Sequence, residues 1–371
     1  MKNYPLFAML VMSLCLISSC HKGDPEVEVH ESDYRNKSKV ILTGDPVEGD
    51  FPMGIYSLIC CDPYYVALAE DPRGYIFVYS QDWELLDVFC HKGRAANEFV
   101  LRPETLHKQS FTNEDGHVMI PFMDLRLIKI LDITESLRTH KPVFAQIRDF
   151  DNNERIETTM GNDHITLMSS FSYVLLDNDI NYTYEKVFGH RLPDMPPFYG
   201  KNRVRRDSVI TELPLLFPIL ENQPVTNYYT YFNKHPKRNL IVEVSLYMDY
   251  LCFTDLDSGR SFLIHGKGTP TFRDTQENDI YETFTGLEMG DSYFIVQYKG
   301  GDYFLNNPDK KNVPREILKF DSEGNFLGSF KMELGRGRGC IMFDGNRNLL
   351  FTTREGEESD IVIKYNIGDG S

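Results

Sequence analysis

The densest group of chemically active residue types lies in residues 89–99, which read FCHKGRAANEF. Cys90 and His91 are adjacent, and cations and a carboxylate follow them. These residue types could form a metal site, a phosphate-binding loop or a nucleophile with its base. A metal site needs further ligands at compatible spacing, and adjacent side chains on an extended chain diverge. No His-x-x-x-His or Cys-x-x-Cys pattern accompanies the pair. The residue types therefore favour the end of a strand and its turn.

The other motifs that could carry chemistry are incomplete. The chain lacks the Gly-x-Ser-x-Gly elbow of many hydrolases and the His-Glu-x-x-His motif of zinc proteases. Residues 335–339 (GRGRG) resemble a phosphate loop only in glycine content, and residues 149–153 (DFDNN) and 255–259 (DLDSG) match a calcium loop only in part. The sequence thus predicts no metal and no other cofactor, and it favours a binding protein over an enzyme.

The cysteines point to packing rather than to bonding. Beyond Cys15 and Cys20, five cysteines remain, and they show neither an even count nor a zinc-ribbon spacing. Cys60 and Cys61 would project to opposite faces of a strand, so they are not expected to bind one ligand together. We expect these thiols to be small buried apolar groups.

Apolar runs that end in polar turns recur along the chain and predict its fold. The last apolar residue of each run lies 45 to 77 residues before that of the next run. A recurrence of about 45–50 residues, lengthened by insertions, is the period of a four-stranded propeller blade. We therefore predict an all-β, six-bladed β-propeller of four-stranded antiparallel blades. The strands of its first blade are predicted at residues 55–60, 64–69, 75–79 and 85–89.

The two ends of the predicted propeller complement each other. Residues 38–44 (SKVILTG) form a lone strand, and residues 361–367 (IVIKYNI) end a blade that has no fourth strand. Pairing the two segments would close the ring through an N-terminal strand and remove two free edges. The propeller is thus predicted over residues 38–371. A Pro- and Arg-rich insertion near residues 190–225 would lie over one face and lead into an extra strand or a short helix.

The N-terminus has the features of an export signal. Lys2 precedes an apolar run with the length of a signal-peptide core, and the run ends in ISSC at residues 17–20. This ending resembles the bacterial lipobox. The resemblance implies that residues 1–19 are a lipoprotein signal peptide and that Cys20 is lipidated. An ordinary secretory signal cleaved nearby and an uncleaved membrane helix are the alternatives.

Residues 20–37 are polar and charged without periodicity, which predicts a flexible tether between lipid and propeller. The protein is then expected at the bacterial cell envelope, anchored through its N-terminal lipid in the outer membrane on either the periplasmic or the surface-exposed face. The formal net charge of −16 makes nucleic acid an unsuitable non-specific partner.

A family resemblance is carried by residues 89–99. They are similar to the F-G-x-x-G-x-G-P-x-E-F blade junction of a TolB-like or NHL-like group of six-bladed propeller lipoproteins from Bacteroidetes. The matching residues are Gly93, Asn97, Glu98 and Phe99, and the departures are Cys90, Ala95 and Ala96. The resemblance covers most of residues 40–367, and it implies an architecture rather than an activity.

Four predicted blade junctions combine glycine with cations. In a propeller, such junctions return to one face near the axis, so a basic ring around a channel mouth would attract an anionic ligand. The candidate ligand-binding residues are Lys92, Arg94, Arg191, Lys267, Arg336 and Arg338. The alternative is a set of solvated turns in which each cation faces a local carboxylate such as Glu98 or Glu333.

Three functions remain open from the sequence. The first is a non-enzymatic binding or scaffold module that recognises a glycan, a peptide or an envelope protein. The second is a propeller hydrolase or lyase that acts on an anionic polysaccharide, which would need carboxylates, a His or a Tyr converging on the channel with shifted pKa values. The third is a structural subunit of an envelope complex.

Overall fold

The computed structural model describes residues 28–105, 110–149, 230–267, 281–304, 316–332 and 340–368, apart from short gaps, and the backbone of five strands between residues 165 and 213. Within these ranges the chain forms 28 β-strands and one short α-helix. None of the described helical structure is long and apolar enough to cross a membrane.

The described strands fall into six sheets, numbered here in chain order. Three strands precede sheet 1 and join later sheets: β1 (Glu28–Ser32), β2 (Val40–Leu42) and β3 (Asp45–Pro46). Sheet 1 consists of β4 (Ile55–Cys61), β5 (Tyr64–Asp71), β6 (Gly74–Tyr79) and β7 (Leu85–Phe89), paired in that order. All four lie where the sequence predicts the strands of the first blade.

The remaining sheets follow the same antiparallel order. Sheet 2 contains β8 (Glu104–Thr105), β9 (Phe111–Thr112), β10 (Val118–Asp124), β11 (Leu127–Asp132) and β12 (Phe144–Asp149). Sheet 3 contains β13 (Ile165–Met168), β14 (Tyr173–Leu176), β15 (Asn181–Tyr184), β16 (Lys201–Arg205) and β17 (Ser208–Leu213). Sheet 4 contains β18 (Thr230–Lys234), β19 (Leu240–Ser245), β20 (Tyr250–Asp255) and β21 (Ser261–Gly266). Sheet 5 contains β22 (Tyr281–Met289), β23 (Tyr293–Phe304), β24 (Glu316–Asp321) and β25 (Phe326–Met332), and sheet 6 contains β26 (Ile341–Asp344), β27 (Leu349–Arg354) and β28 (Ile361–Asn366).

The cores between sheets show how the blades stack. Along β5, Tyr65 and Ala67 pack toward sheet 6, whereas Val66 and Leu68 pack toward sheet 2. A strand buried on both faces reads as a continuous apolar run, and every residue of β6 is buried accordingly. Two further cores join sheet 4 to sheet 5 and sheet 5 to sheet 6. Five sheets therefore pack face to face in the order 2, 1, 6, 5, 4.

This stacking of antiparallel sheets is an all-β propeller, as predicted. The predicted number of six blades is not confirmed, because packing is described for five sheets only. Sheet 3 is described as backbone strands, and its side chains lie outside the described residues. In the predicted insertion near residues 190–225, β16 and β17 extend that sheet as its fourth and fifth strands. The other residues of the insertion lie outside the described ranges.

The N-terminal strap, residues 28–47, runs along the outer edges of three sheets. It adds β1 parallel to β21 in sheet 4, β2 parallel to β25 in sheet 5, and β3 antiparallel to β28 in sheet 6. An N-terminal strand therefore completes sheet 6, but the prediction that residues 38–44 pair with the last blade is wrong. Val40–Leu42 pairs one sheet earlier, and Asp45–Pro46 supplies the missing strand.

The chain crosses from sheet 5 to sheet 6 at Gly44. A Cβ atom there would lie 2.4 Å from the side chain of Ile363 and 2.5 Å from that of Tyr365. Only glycine passes these side chains, so the strap can leave β2 and reach β28 within a few residues. A single-strand interpretation of residues 38–44 missed this step.

The predicted flexible tether over residues 20–37 is also wrong in its second half. Glu28–Ser32 is a strand, and Tyr34 is fully buried in the core between sheets 4 and 5. The Tyr34 hydroxyl donates a hydrogen bond to the buried carboxylate of Asp249. Lys39 forms an ion pair with Glu316, whose carboxylate also accepts a bond from Ser329 Oγ at 2.7 Å. The polar composition of residues 20–37 gave no indication of these contacts, because the strap buries few of its residues.

A short helix, α1 (Ile133–Thr139), replaces the turn expected between β11 and β12. Asp132 caps it by accepting a hydrogen bond from the Glu135 amide at 2.8 Å. Ile133 is fully buried, so this turn of helix fills the core of sheet 2. The helix ends at His140, which adopts a left-handed conformation at φ 53°.

Candidate ligand-binding site

The junction loop, residues 90–103, connects the outer strand β7 of sheet 1 to the inner strand β8 of sheet 2. It folds back on itself, since the Phe99 amide donates to the His91 carbonyl at 3.0 Å and the Gly93 amide donates to the Phe99 carbonyl at 2.9 Å. Phe99 is fully buried and packs on Phe122 of sheet 2. The interpretation of residues 89–99 as a blade junction is thereby confirmed.

Glu98 stabilises the tip of the loop rather than binding its cations. The Ala95 amide donates to Glu98 Oε2 at 2.9 Å, and the Glu98 amide donates to the Ala95 carbonyl at 3.0 Å. A Cβ atom on Gly93 would lie 1.8 Å from Glu98 Oε2, so a side chain there would displace the carboxylate. The Gly93 and Glu98 residues of the motif therefore have a structural role.

A buried ion pair in sheet 2 holds the base of the loop. Lys129 on β11 and Asp124 on β10 are 3 % and 1 % exposed, and Lys129 Nζ lies 2.8 Å from Asp124 Oδ2. Asp124 Oδ1 accepts hydrogen bonds from the amides of Val100 at 3.0 Å and Leu101 at 3.3 Å. With its cation partner and two amide donors, this carboxylate satisfies the conditions under which a buried charge is tolerated.

Lys129 also binds the loop directly. Its Nζ donates to the Glu98 carbonyl and lies 4.8 Å from the centroid of the Phe99 ring. The cation thus contacts the two residues that end the FCHKGRAANEF motif, while its carboxylate partner contacts the next two amides. Because both groups come from sheet 2, the loop is positioned by the blade that it leads into.

Two predicted binding residues, Lys92 and Arg94, lie exposed on this loop. In the described part of the chain neither forms an ion pair with a carboxylate, and Glu98 is occupied by the Ala95 amide. The alternative in which Glu98 neutralises these cations is therefore not supported. The loop therefore exposes two cations to solvent, while Lys129 and Asp124 of sheet 2 hold its backbone in place.

A third cation, Arg102, was missed by the sequence analysis. Its guanidinium carbon lies 4.9 Å from the centroid of the Tyr56 ring, and its Nε lies 3.6 Å from Glu104 Oε1, a surface pair. The Tyr56 hydroxyl donates to the Pro103 carbonyl at 2.8 Å. Burial raises the pKa of Tyr56 well above its usual range, and Arg102 offsets only part of that effect, so the phenol stays neutral.

The Arg102–Tyr56 stack lies between the inner strands of two neighbouring blades. Tyr56 is on β4, the inner strand of sheet 1, and Arg102 lies two residues before the start of β8, the inner strand of sheet 2. In a propeller the inner strands line the axis, so the stack lies near a mouth of the channel. Leu101 and Met53, 53 % and 47 % exposed, add apolar surface at the starts of the same two blades. Following the junction loop to the residues just before the next inner strand would have identified Arg102.

The other predicted binding residues are not brought to this place. Lys267 is exposed at the end of β21, in sheet 4, and its amide donates to the Ser32 carbonyl of the strap at 2.8 Å. Arg191, Arg336 and Arg338 lie outside the described residues, as does Cys20. The ring of cations and the lipidation therefore stay predictions.

At the opposite end of the strands, a polar cluster ties sheet 1 to sheet 6. Tyr65 donates to Asp344 Oδ2 at 2.5 Å, and one Arg347 nitrogen lies 3.3 Å from the Tyr65 hydroxyl. Burial and then the bond to Asp344 raise the pKa of Tyr65 far above its usual range. A neutral, fully buried phenol is not available as a base, so Tyr65 serves here to join two blades.

The cysteines are equally unsuited to catalysis. Burial raises the pKa of Cys90 to about 12, and nearby Lys129 lowers it only in part. Since the thiolate is the nucleophile, Cys90 is inert at neutral pH. Cys60 and Cys61 pack into different cores, toward sheet 6 and sheet 2, which confirms their predicted opposite orientation. Among the described residues, no three metal-ligating side chains converge.

Comparisons with known proteins agree with this architecture. No family model and no curated protein sequence matches the chain. Among solved structures, a member of the DUF4221 family from Bacteroides vulgatus superposes with a TM-score of 0.51 at 11 % identity, covering 88 % of this chain and 98 % of its own. A putative exported protein from Bacteroides fragilis gives a TM-score of 0.47 at 8 % identity over 92 % and 99 % of the two chains. Virginiamycin B lyase from Staphylococcus aureus gives 0.47 at 12 % identity over 88 % and 99 %.

At these identities the first similarity concerns the fold alone. The chain has the all-β propeller fold of that DUF4221 member, and membership of the TolB-like or NHL-like group is not confirmed.

Proposed function

We propose that the protein is a non-enzymatic binding or scaffold propeller of the bacterial cell envelope, anchored through lipid on Cys20, which recognises an anionic glycan, peptide or protein partner. The observation that supports the proposal is that one junction loop, between sheets 1 and 2, carries the exposed cations Lys92 and Arg94 together with Arg102, which stacks on Tyr56. Guanidinium groups suit carboxylate, sulfate and phosphate, and an aromatic surface beside them suits a sugar ring or an apolar side chain.

Pre-organisation supports this assignment. A loop that is already ordered loses little conformational entropy when a ligand binds, so more of the contact energy appears as affinity. The Lys129–Asp124 pair supplies that order in the free protein. In a chain of net charge −16, local cations also favour a specific anionic partner over non-specific association.

A six-bladed ring is part of the proposal. Sheet 3 has five strands and lies in the chain between sheets 2 and 4, which are the two ends of the described stack. Its insertion there would close the ring. A crystal structure in which sheet 3 packs outside the stack of the other five would overturn it.

Binding is tested with the purified protein and three probes: polygalacturonate, a sulfated glycan and an acidic peptide. We expect at least one probe to bind, and the combined substitution Lys92→Gln, Arg94→Gln and Arg102→Gln to weaken it by about tenfold for each cation removed. Lys364→Gln is the matched control, because Lys364 is exposed on β28 of sheet 6 and is not one of the candidate residues, and it should bind like the unaltered protein. Equal binding by the triple variant, or no binding by any probe, would contradict the proposal.

The enzyme alternative is decided by the same samples. A hydrolase releases new reducing ends from polygalacturonate, and a lyase forms an unsaturated product that absorbs in the ultraviolet. We expect neither signal, since burial keeps the Tyr56 and Tyr65 phenols neutral. Turnover that the triple variant abolishes would favour the hydrolase or lyase.

A further inference from the structure

The outer edge of sheet 5 carries an exposed patch of unusual composition. The rim patch consists of Val40, Ile41, Leu327, Lys37 and Lys331. Ile41 is 65 % exposed, Leu327 52 % and Val40 48 %, and both lysines are exposed. It combines three apolar side chains with two cations on the surface of an acidic protein.

The geometry places these residues together. Ile41 pairs with Lys331 in the parallel ladder between β2 and β25, so their side chains project from the same side of the sheet. Leu327 lies on β25 at a register shift, next to Phe326, and Lys37 Nζ lies 6.0 Å from the Phe326 ring. The apolar residues and the two cations therefore share one stretch of outer edge, where Val40 projects from the opposite side of the ladder to Ile41.

This edge differs from that of the neighbouring sheet. The strand β1, at the edge of sheet 4, exposes one apolar residue, Val29, between the polar residues Glu28, His30 and Glu31, and charged residues are the usual protection of an open edge. The edge strand β2 exposes Val40 and Ile41 instead. Its position is fixed, because Leu42 is buried and the adjacent Lys39 is paired with Glu316. Exposed apolar residues on a fixed edge indicate a surface that is covered in use.

The chain upstream of the strap identifies what covers it. Seven residues, 21–27, separate Cys20 from Glu28, and an extended chain spans at most about 3.6 Å per residue, which gives a reach of roughly 25–29 Å. The strap joins the propeller at the outer edge of sheet 4, so a lipid on Cys20 holds this side of the molecule against the bilayer. The edge of sheet 5 is reached by the next strand of the same segment.

We propose that the rim patch contacts the surface of the bilayer in which Cys20 is anchored, which fixes the orientation of the propeller on the membrane. The inference rests on the proposed lipid anchor. Val40, Ile41 and Leu327 enter the interface, and Lys37 and Lys331 approach the lipid phosphates. Such a contact is weak by itself. The lipid anchor on Cys20 strengthens it, because the anchor raises the effective concentration of the bilayer surface near the rim patch.

Tryptophan fluorescence tests the contact in the full lipoprotein. The chain has one tryptophan, Trp83, which is 3 % exposed in the core of sheets 1 and 6 and provides an internal baseline. The protein with Ile41→Trp is reconstituted into vesicles of phosphatidylethanolamine and anionic phosphatidylglycerol that contain brominated acyl chains. We expect the bromines to quench the added emission. Leu86→Trp, at a 40 % exposed position on the outer strand of sheet 1, is the control and should not be quenched.

A second variant tests the cations. Adding Lys37→Glu and Lys331→Glu to the Ile41→Trp protein should weaken the contact roughly fivefold for each lysine replaced, and the quenching should fall with it. Flotation of the vesicles reports the lipid anchor separately. If the Ile41→Trp protein floats but is quenched no more than the Leu86→Trp control, the rim contact is overturned and the anchor is left intact. A protein that does not float overturns both.

Discussion

The junction loop and the N-terminal strap are both held by buried polar contacts, but over different distances along the chain. Lys129 reaches back 31 residues to the Glu98 carbonyl, within two consecutive blades. Tyr34 and Lys39 of the strap reach Asp249 and Glu316 across 215 and 277 residues. The junction contacts need only sheets 1 and 2, whereas the strap contacts need almost the whole chain.

This difference separates two tasks in a propeller. Local contacts fix a surface loop as soon as its two blades exist, and their loop-closure entropy is small. Contacts of the strap form only after sheets 4 to 6 are in place, so they close the molecule without shaping any one blade. We therefore expect that damage to the junction alters the candidate binding surface, and that damage to the strap loosens the edges of sheets 4 to 6.

The largest effect should follow Lys129→Met. The substitution leaves Asp124 as an uncompensated buried charge and removes the donor to the Glu98 carbonyl. Removing one partner of a buried ion pair costs about 3–5 kcal/mol. Chemical denaturation should show that loss, and hydrogen exchange should show faster exchange in residues 91–101 with the strap unchanged.

A matched double variant separates charge from packing. Combining Lys129→Met with Asp124→Asn removes both charges, so a large part of the stability should return. Binding of the anionic probe should stay weak, because the carbonyl of Glu98 has still lost its donor. If the double variant is no more stable than Lys129→Met, the cost is one of packing and the ion pair is not the anchor.

A smaller effect is expected for Tyr34→Phe in the strap. The ring keeps its contacts with Tyr298 and Phe320, and only the hydroxyl that donates to Asp249 is lost. Leaving a buried acceptor short of a partner costs about 1–3 kcal/mol. Hydrogen exchange should rise in β1, β2 and the outer strands of sheets 4 and 5, while the junction loop keeps its protection.

Faster exchange in the junction loop of Tyr34→Phe would show that the two regions are coupled, contrary to the comparison. Tyr298→Phe is a useful control. Its hydroxyl lies 3.4 Å from Asp249, a longer bond than that of Tyr34, so its loss should cost less.

The same contrast explains what the sequence could reveal. The strands of sheet 1 are adjacent in the chain, so apolar runs and turns located all four within one or two residues. The pairing of Val40–Leu42 with sheet 5 depends on Gly44 passing Ile363 and Tyr365, which no local pattern encodes. At the site, Lys92 and Arg94 were found because cations recur beside glycine. Arg102 escaped because its role depends on Tyr56, 46 positions earlier.

The smallest effect is expected for an ion pair between a partly exposed histidine, His117, and the buried Asp132. His117 Nδ1 lies 2.7 Å from Asp132 Oδ2, beside the helix α1, and the hydrogen bond to Asp132 raises the pKa of His117 above its ordinary value. A raised pKa in the folded state means that the pair stabilises the protein fully below the unfolded value of about 6.5 and ceases to do so as the pH rises through the folded value. His117→Gln should therefore be less stable than the unaltered protein near pH 5 and equal to it near about pH 8, as urea denaturation at the two pH values would show. If His117→Gln is less stable than the unaltered protein by the same amount at both pH values, His117 acts through packing. Lys129→Met, in contrast, should show its large loss at both values, because it removes the donor to the Glu98 carbonyl and the partner of Asp124.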